Sequence, residues 1–202
     1  MNIHEKRAIQ SYGKIAESYD DSLEGRYTLP FNQKLVEIIQ IPKNARLLDV
    51  ACGNGRLLKM LQQNHTFEGY GADISKDMVN TASKALPHMV FSTAPCNALP
   101  FEDSFFDIVT VCTAFHHFVD VNAFAQEMTR ILKPGASLYI AEMYYKPALR
   151  ILLNPFIRFH PSGDVRIYSP KEITALLQKH GFTCKPALIQ ANMQIITAHK
   201  PA

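Results

Sequence analysis

The sequence predicts an α/β fold: a doubly wound, seven-stranded, mainly parallel sheet with an antiparallel hairpin at its C-terminal end. Three observations carry this. Apolar strand-like runs alternate with amphipathic helical segments through most of the chain, the pattern of a parallel sheet covered by helices on both faces. A glycine turn, Cys52-Gly53-Asn54-Gly55, stands directly behind the first such run, "RLLDVA". The chain closes with two strand-like runs, "FTCKPALIQ" and "MQIITAHK", joined by the short "QAN".

The elements follow in order. A first helix is expected from about Ile3 to Tyr19, with Ile9, Tyr12, Ile15, Ala16 and Tyr19 at helical spacing. "DDSLEGRYT" reads as a loop. Pro30 then suits the first turn of a second helix with an apolar face of Phe31, Leu35, Ile38 and Ile39, ended by Pro42. Residues 1–42 thus form an N-terminal helical cap on a single domain, 1–202. The core begins at Arg46. After "RLLDVA" come a helix from Arg56 to Gln63, the strand "FEGYGAD", and a helix to Leu86 with Ser75 as N-cap. "MVFST" and the β-branched "FFDIVTVC" are the third and fourth strands. Asp120 caps a helix whose inner face carries Phe124, Met128, Ile131 and Leu132; "KPGA" is a turn and "SLYIAEM" the fifth strand. "SPKE" at 169–172 is a capping box, and Gly181 suits a left-handed helix terminus. The connection 143–170 is longer than usual. It mixes aromatic and aliphatic residues with Lys146, Arg150, Arg158 and Arg166, and is expected to be a substrate lid; packing over the sheet edge is preferred to contact with lipid headgroups.

Composition narrows the classes. The 202 residues, 47% of them apolar, suit one globular domain. No run approaches the roughly 20 apolar residues of a membrane span, and the charged "MNIHEKRAIQ" lacks the apolar middle of a signal peptide. The four cysteines are widely spaced, which reads as free thiols in a reducing cytoplasm rather than a disulfide frame or a zinc site; no metal is expected. A net charge of +3, with Lys6-Arg7 the longest basic cluster, gives no reason to expect nucleic acid.

The glycine turn raises the question of a phosphate ligand. The dinucleotide fingerprint needs a third glycine where Leu58 stands, and the phosphate-loop motif is absent. Asp73, at the end of the second strand, suits the two hydroxyls of any adenosine ribose. Asp49 lies inside an apolar strand. A carboxylate there would repel a pyrophosphate and suits a cation.

These residues resemble a known family. "LLDVACGNG" is similar to the first motif of class I S-adenosylmethionine-dependent methyltransferases. "YGADIS" with Met78, "CNALPFEDSFFDIVTV", "AFHHFVD" and "RILKPGA" match later segments in order, and "YGKIAESYD" resembles the N-terminal cap of the small-molecule, quinone-methylating branch. The resemblance implies a Rossmann-like fold, S-adenosyl-L-methionine as cofactor and a small-molecule acceptor. It further implies that Asp49 with the backbone at Ala51, Gly53 and Gly55 holds the methionine end, and that Asp73 holds the ribose. Ile74 and Met78 would enclose the adenine, Asn97 and Ala98 would face its edge, and Tyr19 would close over the methionine end. His116 and His117 follow the fourth strand and titrate in the useful range, so either is a candidate base. Cys52 reads as a packing residue. Two other readings stay open: a non-catalytic protein that binds the adenosine cofactor for regulation, and a nicotinamide oxidoreductase, which Leu58 and Asp49 disfavour.

Overall fold

Apolar residues fill β1 (Arg46–Val50), β2 (Glu68–Asp73), β4 (Phe106–Cys112) and β5 (Leu132–Met143), and these strands, with the more exposed β3 (Val90–Thr93), run parallel. The computed structural model describes all 202 residues, Met1–Ala202. β6 (Thr183–Cys184), β7 (Leu188–Gln190) and β8 (Met193–His199) complete one sheet in the order β3-β2-β1-β4-β5-β8-β6, with β7 also on β8. β8 is antiparallel to β5. Chain order reverses between β1 and β4, the place where such sheets bind ligands beyond the carboxyl ends of their strands.

The pleat explains why both faces are covered. Alternate residues of a strand point to opposite faces. Val109, Val111, Leu138 and Ile140 pack with Phe124 and Met128 of α5 (Val121–Ile131) and with Ile173 and Leu177 of α7 (Pro170–Lys179). Ile108, Tyr139 and Ala141 join Phe31 and Leu35 of α2 (Leu23–Ile38) and Leu57, Leu58 and Leu61 of α3 (Arg56–Leu61) on the other side. α4 (Lys76–Ala85) packs against β2 and β3, α1 (Ile3–Gly13) lies on α4, and α6 (Pro147–Ile157) is the remaining helix. No helix is long and apolar enough to cross a membrane.

Several expectations are corrected. The sheet has eight strands, not seven, because Pro186 has no N–H to donate; it splits "FTCKPALIQ" into β6 and β7, both paired with β8. The first helix stops at Gly13 and a 3-10 turn, Ala16–Asp21, replaces its second half. The second helix starts seven residues before Pro30, because the Ser22 hydroxyl accepts the Gly25 N–H at 2.9 Å and caps it there. "KPGA" belongs to β5, as an irregularity where the register with β4 shifts and Gly135 takes φ +79°. Within 143–170 the chain forms α6, which buries no residue and leaves Ile151, Leu152 and Phe156 exposed. The capping box at Ser169 and the left-handed Gly181 are as expected.

Gly25 is where α2 meets the 3-10 turn: a Cβ there would stand 1.9 Å from the Tyr19 carbonyl oxygen. Alanine is ordinarily better than glycine in a helix by about 1 kcal/mol. Gly25→Ala is nonetheless expected to destabilise by about 1–3 kcal/mol through forced backbone movement. Chemical denaturation checks it; a stabilised variant would refute this close approach.

Candidate active site

Three strand ends build the site. The β1–α3 loop turns on left-handed residues, Ala51 (φ 56°), Gly53 (φ 54°) and Gly55 (φ 81°). A side chain at Gly53 would project into open space, with the Met78 sulfur 4.0 Å away as its nearest neighbour. The Asp73 carboxylate at the end of β2 fastens this loop. One oxygen accepts the Gly53 N–H at 2.8 Å and the other the Ser75 N–H at 2.8 Å. Burial raises the Asp73 pKa, while the N–H groups of Ser75, Gly53 and Ile74 oppose the rise.

Asp49 is paired in register with Gly71 on β2 and Thr110 on β4 and is buried. Its Oδ1 accepts the Thr110 hydroxyl proton at 2.7 Å. Burial pushes its pKa up to about 7; the Thr110 bond opposes this and the charge of Asp73 adds to it. The cavity beyond these carboxylates has an apolar slot of Ile74, Met78, Ala94, Pro95, Cys96 and Phe118 and a roof of Glu5, Ala8, Tyr12 and Tyr19.

Arg56 ties the roof to the loop. Its guanidinium donates to the Gly25 carbonyl at 2.8 Å, to Asp20 at 3.2 Å and to the Thr28 hydroxyl at 2.5 Å, and lies 5.4 Å from the Tyr19 ring centroid. Its Nε is buried without a partner.

The rim after β4 carries both histidines. His117 lines the cavity, with Nε2 3.1 Å from the Tyr12 hydroxyl. Burial, then the neighbouring His116, hold its pKa well below 6.5, although the Gly163 carbonyl works the other way. Such an imidazole is neutral near pH 7. His116 is buried and faces away, with Nδ1 2.9 Å from Glu142 Oε2. Burial disfavours its charge, but Glu142 and then Asp164 outweigh this and raise its pKa.

The structure therefore brings Asp49, Ala51, Gly53, Asp73, Ile74, Met78, Tyr19 and His117 onto one cavity wall. Gly55 shapes the loop from behind, against Ala82 of α4 and Leu86 just after it. His116 is a supporting residue rather than a wall residue. Asn97 and Ala98 depart from expectation: the Ala98 N–H closes a turn onto the Pro95 carbonyl, which leaves both exposed, and Cys96 takes the wall position. The segment 143–170 contributes no wall residue either. Its 158–164 stretch backs α1: Arg7 donates to the Arg158 carbonyl at 3.2 Å, and a Cβ on Gly163 would stand 2.3 Å from the His4 carbonyl oxygen.

Arg56, Thr28 and Tyr12 are further wall residues, which no motif in the sequence marks as such. For Arg56 a signal existed. A cation in the first turn of a helix opposes the helix dipole, and such local conflicts cluster at functional sites.

Known proteins resemble this chain in sequence and in fold. The family profile described as "Methyltransferase domain" matches residues 48–140. The demethylmenaquinone methyltransferase of Thermotoga maritima is 28% identical over 202 residues, covering 88% of this chain and 88% of that protein. The 2-methyl-6-phytyl-1,4-hydroquinone methyltransferase of a Synechocystis species is 32% identical over 117 residues, covering 56% of this chain and 37% of that protein. A methyltransferase from Haloferax volcanii, solved with the Trm112 activator, superposes with a TM-score of 0.83 at 19% identity, covering 95% of this chain and 98% of that one, which establishes a shared fold.

The raised pKa of Asp49 has a sign that can be tested. Between its ordinary value of 3.8 and about 7, the folded protein holds a proton that the unfolded chain has released. Stability therefore falls as pH rises through that window and levels off above it. The ligand-free Asp49→Asn variant is expected to gain on the wild type as pH rises from 4 to 7 (about the limits of that window), with the gap constant beyond. Melting temperatures across pH check this; a gap independent of pH would refute it.

Proposed function

The chain belongs to the class I S-adenosylmethionine-dependent methyltransferases, and from that premise we propose that it methylates a ring carbon of a hydroquinone-type small molecule. The observation that carries the cofactor half is the pair of buried carboxylates, Asp49 and Asp73, on one wall of the cavity. Two carboxylates suit a cationic adenosine ligand and oppose a diphosphate.

The residues fit S-adenosylmethionine at each end. The unpartnered Arg56 Nε suits its carboxylate, and Asp49 its ammonium and sulfonium charge. Each Asp73 oxygen already takes one backbone N–H and keeps a lone pair for a ribose hydroxyl. The apolar wall residues, Met78 and Phe118 among them, suit an adenine ring. When bound, the cofactor supplies an electrophilic methyl group, which asks the protein chiefly for alignment and exclusion of water.

The acceptor half rests on what the relatives are named for, demethylmenaquinone and a phytyl hydroquinone. A hydroquinone carbon becomes nucleophilic as its neighbouring phenol loses its proton. Neutral His117 presents Nε2 at the cavity wall and is suited to take that proton. Tyr12, its pKa raised by burial, stays protonated and orients the imidazole. Segment 143–170 acts as a lid at one remove, by holding α1 over the cavity. The four free cysteines support a cytoplasmic location.

Two outcomes are expected. Arg56→Gln should weaken S-adenosylhomocysteine about 10-fold or more, the scale of one hydrogen bond to a charge. The same change should leave methylthioadenosine, which lacks the amino acid, nearly unaffected; calorimetry with both ligands checks this, and equal losses would refute the carboxylate assignment. Labelled methyl transfer should be observed to hydroquinones and fall by about 10²-fold or more in His117→Gln, with unchanged cofactor affinity. No turnover on any hydroquinone would overturn the acceptor class, and no turnover on any acceptor would favour a non-catalytic binder.

A further inference from the structure

Behind the cavity wall, residues from two distant parts of the chain bring three electron-donating atoms together. We propose that His116, His117 and Asp164 form a binding site for a divalent transition-metal cation of the zinc class. Asp164 Oδ1 lies 3.2 Å from His117 Nδ1 and 3.8 Å from His116 Nε2, and all three atoms lie within 4.8 Å of one another. Tetrahedral zinc, with bonds of about 2.0–2.1 Å, places its ligand atoms about 3.3 Å apart. Small side-chain shifts therefore close the site.

The surroundings are those of a metal centre. Metal-bound histidines usually engage their second nitrogen with a carboxylate or another polar group, which orients the ring. His116 does so through Nδ1 with the fully buried Glu142, whose same oxygen accepts the His116 backbone N–H at 3.1 Å. His117 does so through Nε2 with the Tyr12 hydroxyl at 3.1 Å. Asp164 is fixed by the Ser162 hydroxyl at 2.5 Å, and the Val165 N–H donates to the His116 carbonyl at 2.8 Å, which locks the two segments of the site together.

His117 Nδ1 is buried and faces the Asp164 carboxylate at 3.2 Å and the Gly163 carbonyl without a well-aligned hydrogen bond to either. Two carboxylates, Glu142 and Asp164, also face this histidine pair from opposite sides. A cation at the point of convergence would satisfy the orphaned nitrogen and balance the carboxylates. Two imidazole nitrogens and one carboxylate oxygen favour zinc, cobalt or nickel over magnesium or calcium. His160 stays outside the site: its Nδ1 lies 3.6 Å from the other Asp164 oxygen and 2.5 Å from the Ser162 hydroxyl, which leaves the fourth position to water.

Occupancy has one consequence for the reaction, which rests on the proton-accepting role proposed for His117; the site itself does not. Ligation at Nδ1 leaves the ring proton on Nε2, so a loaded His117 does not accept a proton from the acceptor. The loaded protein should keep its cofactor affinity and turn over more slowly.

The test uses untagged, chelator-treated full-length protein. Calorimetry with zinc chloride should give one site per chain, with magnesium chloride as the non-binding control, and Asp164→Asn should weaken zinc about 10-fold or more. If that variant fails to fold, cobalt(II) added to the wild type decides: the paramagnetically shifted imidazole signals should belong to His116 and His117. No stoichiometric zinc binding, equal zinc affinity in Asp164→Asn, or shifted signals only from surface histidines such as His160 would each overturn the proposal.

Discussion

One carboxylate holds the ligand-binding end of this molecule together. Asp73 receives the Gly53 N–H on one oxygen and the Ser75 N–H on the other, and so joins the β1–α3 loop to the turn that starts α4. The loop's left-handed turns at Gly53 and Gly55 favour residues without side chains, so of its own side chains only Asn54 adds appreciable bonds, to Asp20 at 3.0 Å and from the Arg56 N–H at 3.3 Å. Burying the carboxylate costs solvation, which its raised pKa records, and the backbone N–H groups offset part of that cost. The oxygens keep free lone pairs directed by the same two bonds. Structural fastening and ribose recognition thus draw on one group, and the site geometry follows from the fold rather than from ligand binding.

The roof is built differently. α1, the 3-10 turn and the start of α2 have few residues in the main core, and α1 buries none. They are held at two sides by polar contacts. On one side Arg56 reaches Gly25, Asp20 and Thr28; on the other, residues 158–164 back α1. The Asp20 side chain is half exposed, and exposed ion pairs are worth only about 0.2–1 kcal/mol. Opening this roof therefore costs little compared with disturbing the sheet, which suits a cavity that must admit a cofactor and an acceptor in turn.

What the sequence made legible divides along the same line. The parallel strands, the caps at Ser75, Asp120 and Ser169, and the positions of Asp49 and Asp73 follow from local patterns: apolar runs, cap residues and one acid at the end of a strand. The structure differs from these patterns where a local signal meets a tertiary one. Pro30 reads as a helix start, yet Ser22 had already capped that helix. The apolar 143–170 reads as a cavity lid; its helix α6 stays exposed, and the segment meets the cavity's walls from behind, at α1 and at His117 through Asp164. Resemblance puts Asn97 at the adenine edge; beside the turn that Ala98 closes onto Pro95 it is exposed and lies outside the cavity lining. The meeting of His117 with Tyr12 and Asp164 depends on pairs 105 and 47 residues apart, a separation no local pattern encodes.

The account stands on a cavity shaped for a cationic adenosine carrying an amino acid. Its most direct test is a crystal structure of the complex with S-adenosylhomocysteine. Both ribose hydroxyls are predicted to lie within hydrogen-bond distance of the Asp73 carboxylate, with the amino-acid end between Asp49 and Arg56. A ribose placed away from Asp73, or an amino-acid end that leaves Asp49 and Arg56 without a ligand contact, would contradict it.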